Sequence, residues 1–266
     1  MGSIRAKASK WLFVGVALIS ACGAGDDRAA GEDVFETRAA VAAPPTDHMG
    51  RARTTWNQVK DHRYTSFEQD VTVVEINTYT FVSIYGTMLY GPNWSLTIRM
   101  LPNQAAAFDF SMASASDVQA PPGGTCYSGN TVKYCTTGAG EALVGKTVKL
   151  AVIKSNRDNG ADLWWSAWAQ IKNGRGFYLG QLKAPYQGAI ASAHDATEAA
   201  GTRDPSGAFC SKPPERTSIV FGPPTVSSPV LSRRNLSYAG STLSDCYGPS
   251  SLAAPFYDGA VHFLGP

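Results

Sequence analysis

The chain is poor in the groups that usually declare a chemistry. Its 266 residues include four histidines and five cysteines. It contains no G-x-S-x-G elbow, no H-E-x-x-H helix, no P-loop and no G-x-G-x-x-G between a strand and a helix. Those absences exclude a serine-hydrolase elbow, a zincin centre and a nucleotide-phosphate cradle. Cysteines at C-x-x-C spacing are missing, as is a nearby histidine pair, so no zinc site is expected. Charge is sparse, with 17% charged residues. The apolar run from Trp11 to Ile19 is too short to span a bilayer comfortably.

That short run instead has the shape of a secretory signal. Arg5, Lys7 and Lys10 precede it, and Ile19-Ser20-Ala21-Cys22 closes it with small residues before a cysteine. The ending resembles a bacterial lipobox, which implies a signal peptide over 1–21 and lipidation at Cys22. Losing residues 1–21 leaves 20 Lys and Arg against 21 Asp and Glu, moving the formal balance from +2 to −1. A chain so balanced has no electrostatic footprint for nucleic acid. The expected partner is a membrane, reached through the lipid, at the bacterial cell envelope or surface.

The remaining four cysteines, Cys126, Cys135, Cys210 and Cys246, are even in number, as expected for an oxidising compartment. Three connectivities are open. Nearest-neighbour pairing favours Cys126–Cys135 and Cys210–Cys246.

Residues 22–55 are rich in Ala, Gly and charge, with Pro44-Pro45 between, and read as a flexible tether. Residues 56–266 read as one domain, long enough to bury a good core. Its texture is β. Phe67–Ile76, Tyr79–Tyr85, Leu96–Leu101, Ala106–Met112, Thr147–Lys154, Trp164–Lys172, Phe177–Leu182 and Ser218–Phe221 are β-branched or aromatic runs. Turn clusters such as Gly91-Pro92-Asn93, Asn173-Gly174 and Gly222-Pro223-Pro224 separate them. The pattern predicts an all-β fold, a two-sheet antiparallel sandwich of lectin-like type. At most one short helix is expected, over the alanine-rich stretch Ala189 to Ala200.

Leu163 to Leu182 carries three of the six tryptophans around Asn173-Gly174, which suits a type I′ hairpin turn. A two- or four-residue loop gives the same faces. Trp165, Ala167, Ala169 and Ile171 beside Tyr178, Gly180 and Leu182 form the core face. Trp164, Ser166, Trp168 and Gln170 beside Phe177, Leu179, Gln181 and Lys183 form a mixed face of flat aromatics and amides. Apolar surface with a few placed polar groups is what a ligand site needs. Trp164, Trp168, Gln170 and Gln181 are therefore the candidate binding residues. The bland alternative is that a loop covers this face and both tryptophans are core.

Catalysis would have to come from carboxylates, since a glycosidase needs two of them about 5–9.5 Å apart. Glu68 and Asp70 share a strand face, Asp109 interrupts an apolar strand, and Glu141 sits in a glycine-loosened loop. Charges alternating on a solvated strand look the same. His194 and Glu198, four apart, read as a surface pair on the expected helix. No cofactor is implied.

Several segments together resemble a secreted microbial family known only as a domain of unknown function. They are Phe108-Asp109-Phe110-Ser111-Met112, Gly138-Ala139-Gly140-Glu141, Leu163-Trp164-Trp165-Ser166-Ala167-Trp168, Leu179-Gly180, Phe209-Cys210, Phe221-Gly222-Pro223-Pro224 and Asp245-Cys246. The resemblance spans about Phe67 to Pro249. It implies a lectin-like β-sandwich, sometimes accompanying carbohydrate-active modules, and an extended segment over Ala193 to Gly201. The expectation is an exported, lipid-anchored sandwich that binds a glycan or other extracellular ligand through an aromatic face. The alternatives are a polysaccharide hydrolase using a carboxylate pair and a structural envelope protein.

Overall fold

A computed structural model describes residues 49–58, 63–89, 91–101, 105–155, 163–185, 188–200, 202–203, 210–212, 216–229, 233–244 and 251–265. The expected signal peptide, Cys22, the tether up to residue 48, and Cys246 lie outside the described residues. Strands β1 (Met49–Asn57), β2 (Ser66–Glu75), β3 (Thr80–Met88), β4 (Asn93–Met100), β5 (Ala106–Ala113) and β6 (Asp117–Gln119) come first. Next are β7 (Thr125–Ser128), β8 (Val132–Gly138), β9 (Lys146–Lys154), β10 (Trp164–Ile171), β11 (Gly176–Lys183) and β12 (Ile190–Ala200). The short β13 (Thr202–Arg203) and β14 (Cys210–Lys212) pair, among the described residues, only with each other. The chain ends with β15 (Thr217–Phe221), β16 (Thr225–Ser227), β17 (Arg234–Asn235), β18 (Ser237–Ser244), β19 (Leu252–Phe256) and β20 (Gly259–Leu264). Among the described residues there is no helix.

Two antiparallel sheets form the expected sandwich. One has eight strands in the order β18-β1-β12-β3-β4-β5-β8-β7. The other runs β19-β20-β15-β2-β9-β10-β11-β6, with β16 and β17 attached along β2. Period-two alternation builds the interior. Val82 and Ile84 point inward between Phe81, Ser83 and Tyr85; Leu96 and Ile98 alternate with Ser95, Thr97 and Arg99; Phe108, Phe110 and Met112 alternate with Asp109 and Ser111. From the facing sheet, Phe67, Val71, Leu150, Val152, Trp165 and Leu182 complete one contiguous core. Cys126 and Cys135 are bonded across β7 and β8, as the nearest-neighbour pairing expects. Cys210 lies on β14, and its expected bond to Cys246 falls outside the described residues.

Three local expectations need correction. Residues 49–55, assigned to the tether, belong to β1, held between β12 and β18. Ala52, Thr54 and Trp56 point inward from it and are buried, so small residues here reflect tight packing. The expected helix over Ala189–Ala200 is β12, paired along its length with β1 and β3. Alanine carries no period of its own, and two flanking strands override its helix preference. The third correction concerns the β10–β11 hairpin. Its turn is a three-residue loop: Ile171 N–H bonds Arg175 O at 3.1 Å, and only Asn173 takes positive φ, 58°. That odd loop pairs Trp168 with Tyr178 and Ala169 with Phe177. A bulge then restores the expected pairing of Ala167 with Gly180 and Trp165 with Leu182. Gly180, at φ 106°, absorbs the irregularity; a Cβ there would sit 2.6 Å from Gln119 O. So Phe177 and Leu179 are core, and Tyr178 faces out.

One polar cluster in the interior joins the two sheets. Asp195, on β12, is fully buried and accepts hydrogen bonds at Oδ2 from Trp56 Nε1 (2.8 Å) and Gln69 Nε2 (2.9 Å). Gln69 also donates to Gly222 O, at 3.0 Å. His262, on β20, is equally buried, with Nε2 2.8 Å from Thr54 Oγ1 and Nδ1 3.1 Å from Thr197 Oγ1. Its Nε2 lies 3.5 Å from Asp195 Oδ1. Burial pushes the Asp195 carboxyl up to about 7, against the pull of its donors Gln69, Trp56 and Thr54. Burial pushes His262 down to about 3. Both effects have one cause: a charged form loses its hydration inside the sandwich.

Candidate functional site

The four residues singled out from the sequence lie on the outer face of the second sheet or just beneath it. Trp168 is 45% exposed and packs on Tyr178, ring centroids 4.4 Å apart. Trp164 is half-buried, with Lys183 Nζ 5.7 Å from its ring centre. Ser166 stands between the two tryptophans, so they are separated by roughly 13 Å of strand. Gln170 is exposed but turned into the hairpin, where its Nε2 donates to Ile171 O and Gly174 O. Gln181 is buried and donates to Ser166 Oγ at 2.7 Å and to Ser155 Oγ. The face therefore presents an aromatic pair with exposed Ile153 nearby, while both of its amides serve the fold.

The candidate carboxylates are each engaged by a cation. Glu68 and Asp70 share the outer face of β2, as expected, beside a small pocket of about 200 Å³. Arg233 Nη2 lies 2.8 Å from Glu68 Oε2, and Lys149 Nζ lies 4.0 Å from Asp70 Oδ1. Asp109 accepts from Arg99 Nε (2.7 Å), Arg99 Nη2 (3.3 Å) and Thr136 Oγ1 (2.6 Å). Glu141 pairs with Lys146. These contacts make ion pairs, and Glu68 and Asp70, which both line the small pocket, share it with their cations Arg233 and Lys149.

A larger concavity is on the opposite side of the sandwich, over the eight-stranded sheet. It measures about 630 Å³, within the range of small-ligand clefts. β1, β12, β3, β4 and β5 floor it, and the register dictates its composition. Residues directly opposite one another share a face. One outward row reads Thr55, His194, Tyr85, Ser95, Ser111, Tyr134 and Tyr127 across seven strands. The next row reads Arg53, Ala196, Ser83, Thr97, Asp109 and Thr136. Hydroxyls pair along the floor: Ser83 with Thr97 at 2.8 Å, Ser95 with Ser111 at 2.7 Å, and Thr87 with Ser192 at 2.7 Å.

Two aromatic stations mark the first row. Tyr85 packs against His194, centroids 5.4 Å apart, and the Arg53 guanidinium lies 5.6 Å from the Tyr85 ring centre. Three strand steps away, about 14 Å, Tyr134 stacks on Tyr127 at 4.8 Å, and both rings are largely exposed. Burial lowers the His194 pKa, and Arg53 lowers it further, which favours a neutral imidazole able both to donate and to accept. Burial raises the Tyr85 phenol, favouring an O–H donor. Arg51 and Glu198 form an ion pair at the groove's end.

Of these residues the sequence singled out Asp109, as a candidate carboxylate, and His194 with Glu198, read as a surface pair. They do share a face, but of a strand. The available signal was the polar half of each alternating strand: Ser83, Tyr85 and Thr87, then Ser95 and Thr97, then Asp109 and Ser111. Each half looks like an ordinary solvated face until register joins the strands.

No family model and no curated sequence matches the chain. Among solved structures, two of scytalido-glutamic peptidase are similar in outline. One, with a peptide-based transition-state analog, has a TM-score of 0.45 at 8% identity, covering 82% of this chain and 98% of that one. The other, with a transition-state analog inhibitor, has a TM-score of 0.44 at 9% identity and the same coverage. The sandwich described above rests on its own strand pairing.

Proposed function

We propose that this protein is a glycan-binding sandwich, and that its binding site is the groove over the eight-stranded sheet. The row of Tyr85 and His194, then Ser95 and Ser111 in the groove, continued outside its lining by Tyr134 and Tyr127, carries the reading. A polyhydroxylated chain needs many hydrogen-bond partners of both kinds and flat apolar surfaces for its ring faces. This row supplies neutral donors and acceptors between two aromatic stations, on a rigid sheet that pays little ordering entropy on binding. The sequence supports export and attachment through Cys22, which would hold the groove at the cell envelope. The Trp168–Tyr178 pair is the competing platform, with aromatic surface but with its amides already used.

The test is a glycan array on the full chain in mild detergent, with reducing ends assayed in the flow-through. Tyr85→Ala and Ser95→Val are expected to abolish retention while melting within a few degrees of the wild type. Trp168→Ala is expected to retain binding. Loss of retention in Trp168→Ala alone would move the site to the other sheet. Release of reducing ends would turn the reading from binding to hydrolysis.

A further inference from the structure

We propose that the groove selects an acidic glycan, one bearing carboxylates of the uronic acid class, and that Arg53 is the residue that recognises the acid group. The inference rests on the groove being the glycan site and goes on to its charge. Three formally charged side chains line it: Arg51, Arg53 and Glu198. Arg51 and Glu198 neutralise each other in an ion pair. Asp109, in the Arg53 row four strands along, is engaged by Arg99 and Thr136. Asp195 belongs to β12 but points into the core. Arg53 has no carboxylate partner among the described residues, so the groove is left with one uncompensated positive charge.

The placement of that charge is specific. Arg53 is paired across the sheet with Ala196, whose small side chain leaves room above it. The guanidinium reaches the Tyr85 ring on the next strand, 5.6 Å from its centre. A cation over an aromatic face is held there without a counter-ion. A guanidinium placed in this way, and bonded to no carboxylate among the described residues, has a fork of donors that matches the two oxygens of a carboxylate. The hydroxyls of Ser83 and Thr97 lie in the same row, ready for the sugar ring that carries the acid. A glycan with a carboxylate on each residue would meet Arg53 in any register along the groove.

The experiment compares polygalacturonate, alginate and hyaluronan with their methyl esters, which keep the sugar rings and remove the charge. Binding of the full chain in detergent is measured by calorimetry at low and physiological salt. For at least one polymer the free acid is expected to bind about tenfold or more tighter than its ester, the size of one charge-assisted hydrogen bond at a partly exposed site. Arg53→Gln is expected to bring the affinity for the acid down to that for its ester, and Arg53→Lys to restore part of the preference. Added salt is expected to shrink the preference. Equal binding of acid and ester overturns the inference, as does a preference that survives in Arg53→Gln. If no acidic polymer binds while the array retains neutral glycans, the charge inference fails and the groove reading stands. If no glycan of any kind is retained, the groove reading itself fails.

Discussion

Asp195 and His262 hold protons in opposite senses, so removing either should tilt the pH dependence of stability in opposite directions. Asp195 rises to about 7 in the fold, from about 3.9 in an unfolded chain. A raised carboxyl binds its proton more tightly when folded. Its stabilising contribution is full at low pH and disappears as pH climbs from about 4 through 7. His262 falls to about 3, from about 6.5 unfolded. Its effect is reversed: the unfolded chain takes the proton more readily, so stability is lost as pH drops from about 6.5 toward 3. Between pH 5 and 8 the carboxyl alone lowers stability by about 3 kcal/mol and the imidazole alone raises it by about 2. In the wild type the two nearly cancel, because folded and unfolded states each hold about one proton on this pair from about pH 4 to 6.5. Asp195→Asn removes the falling limb and should gain about 3 kcal/mol relative to the wild type between pH 5 and 8. His262→Gln removes the rising limb and should lose about 2 over the same interval. Both variants also carry a pH-independent cost from disturbing buried hydrogen bonds. Urea unfolding at pH 5, 6, 7 and 8, read as the difference from wild type at each pH, isolates the slopes. Slopes of the same sign in the two variants, or none in either, would refute this protonation scheme.

Trp165→Ala should cost about 3–5 kcal/mol in chemical denaturation, since the ring is completely buried. Trp168→Ala should cost under about 1 kcal/mol and reduce the acrylamide-quenchable part of the tryptophan fluorescence. Replacing Cys126 and Cys135 together by serine opens a loop whose ends are nine residues apart, and the melt should show a loss of about 3 kcal/mol. Cys22→Ser should abolish acylation and lipoprotein processing; intact-mass spectra of the wild-type N-terminus without an acyl group would overturn the anchor.

The strands that were legible were those whose own residues carry the period. Val71 and Val73 on β2, or Phe108 and Phe110 on β5, announce both element and face. Where side chains are small, the information lies elsewhere. β1 and β12 read as a tether and a helix because Ala52, Ala193, Ala196 and Ala199 fit any backbone; their strand character comes from neighbours distant in sequence. The hairpin was half legible. The Ser166–Gln181 and Trp165–Leu182 pairings were expected, while a three-residue loop and a compensating bulge at Gly180 exchanged Tyr178 for Phe177 nearer the turn. The groove was the least legible feature, since five strands each give it one to three polar residues and only cross-strand register makes them adjacent.

The first strand of the sandwich is an interior strand. β1 has seven residue pairs with β12 on one side and seven with β18 on the other. A mechanical load applied at Met49 along the strand would therefore enter two hydrogen-bond ladders at once, in shear. Strands at a sheet margin unzip one bond at a time under tension; a strand clamped on both flanks yields only when many bonds fail together. Tension arriving at this end of the domain would meet both ladders together, with the groove built on the same strand.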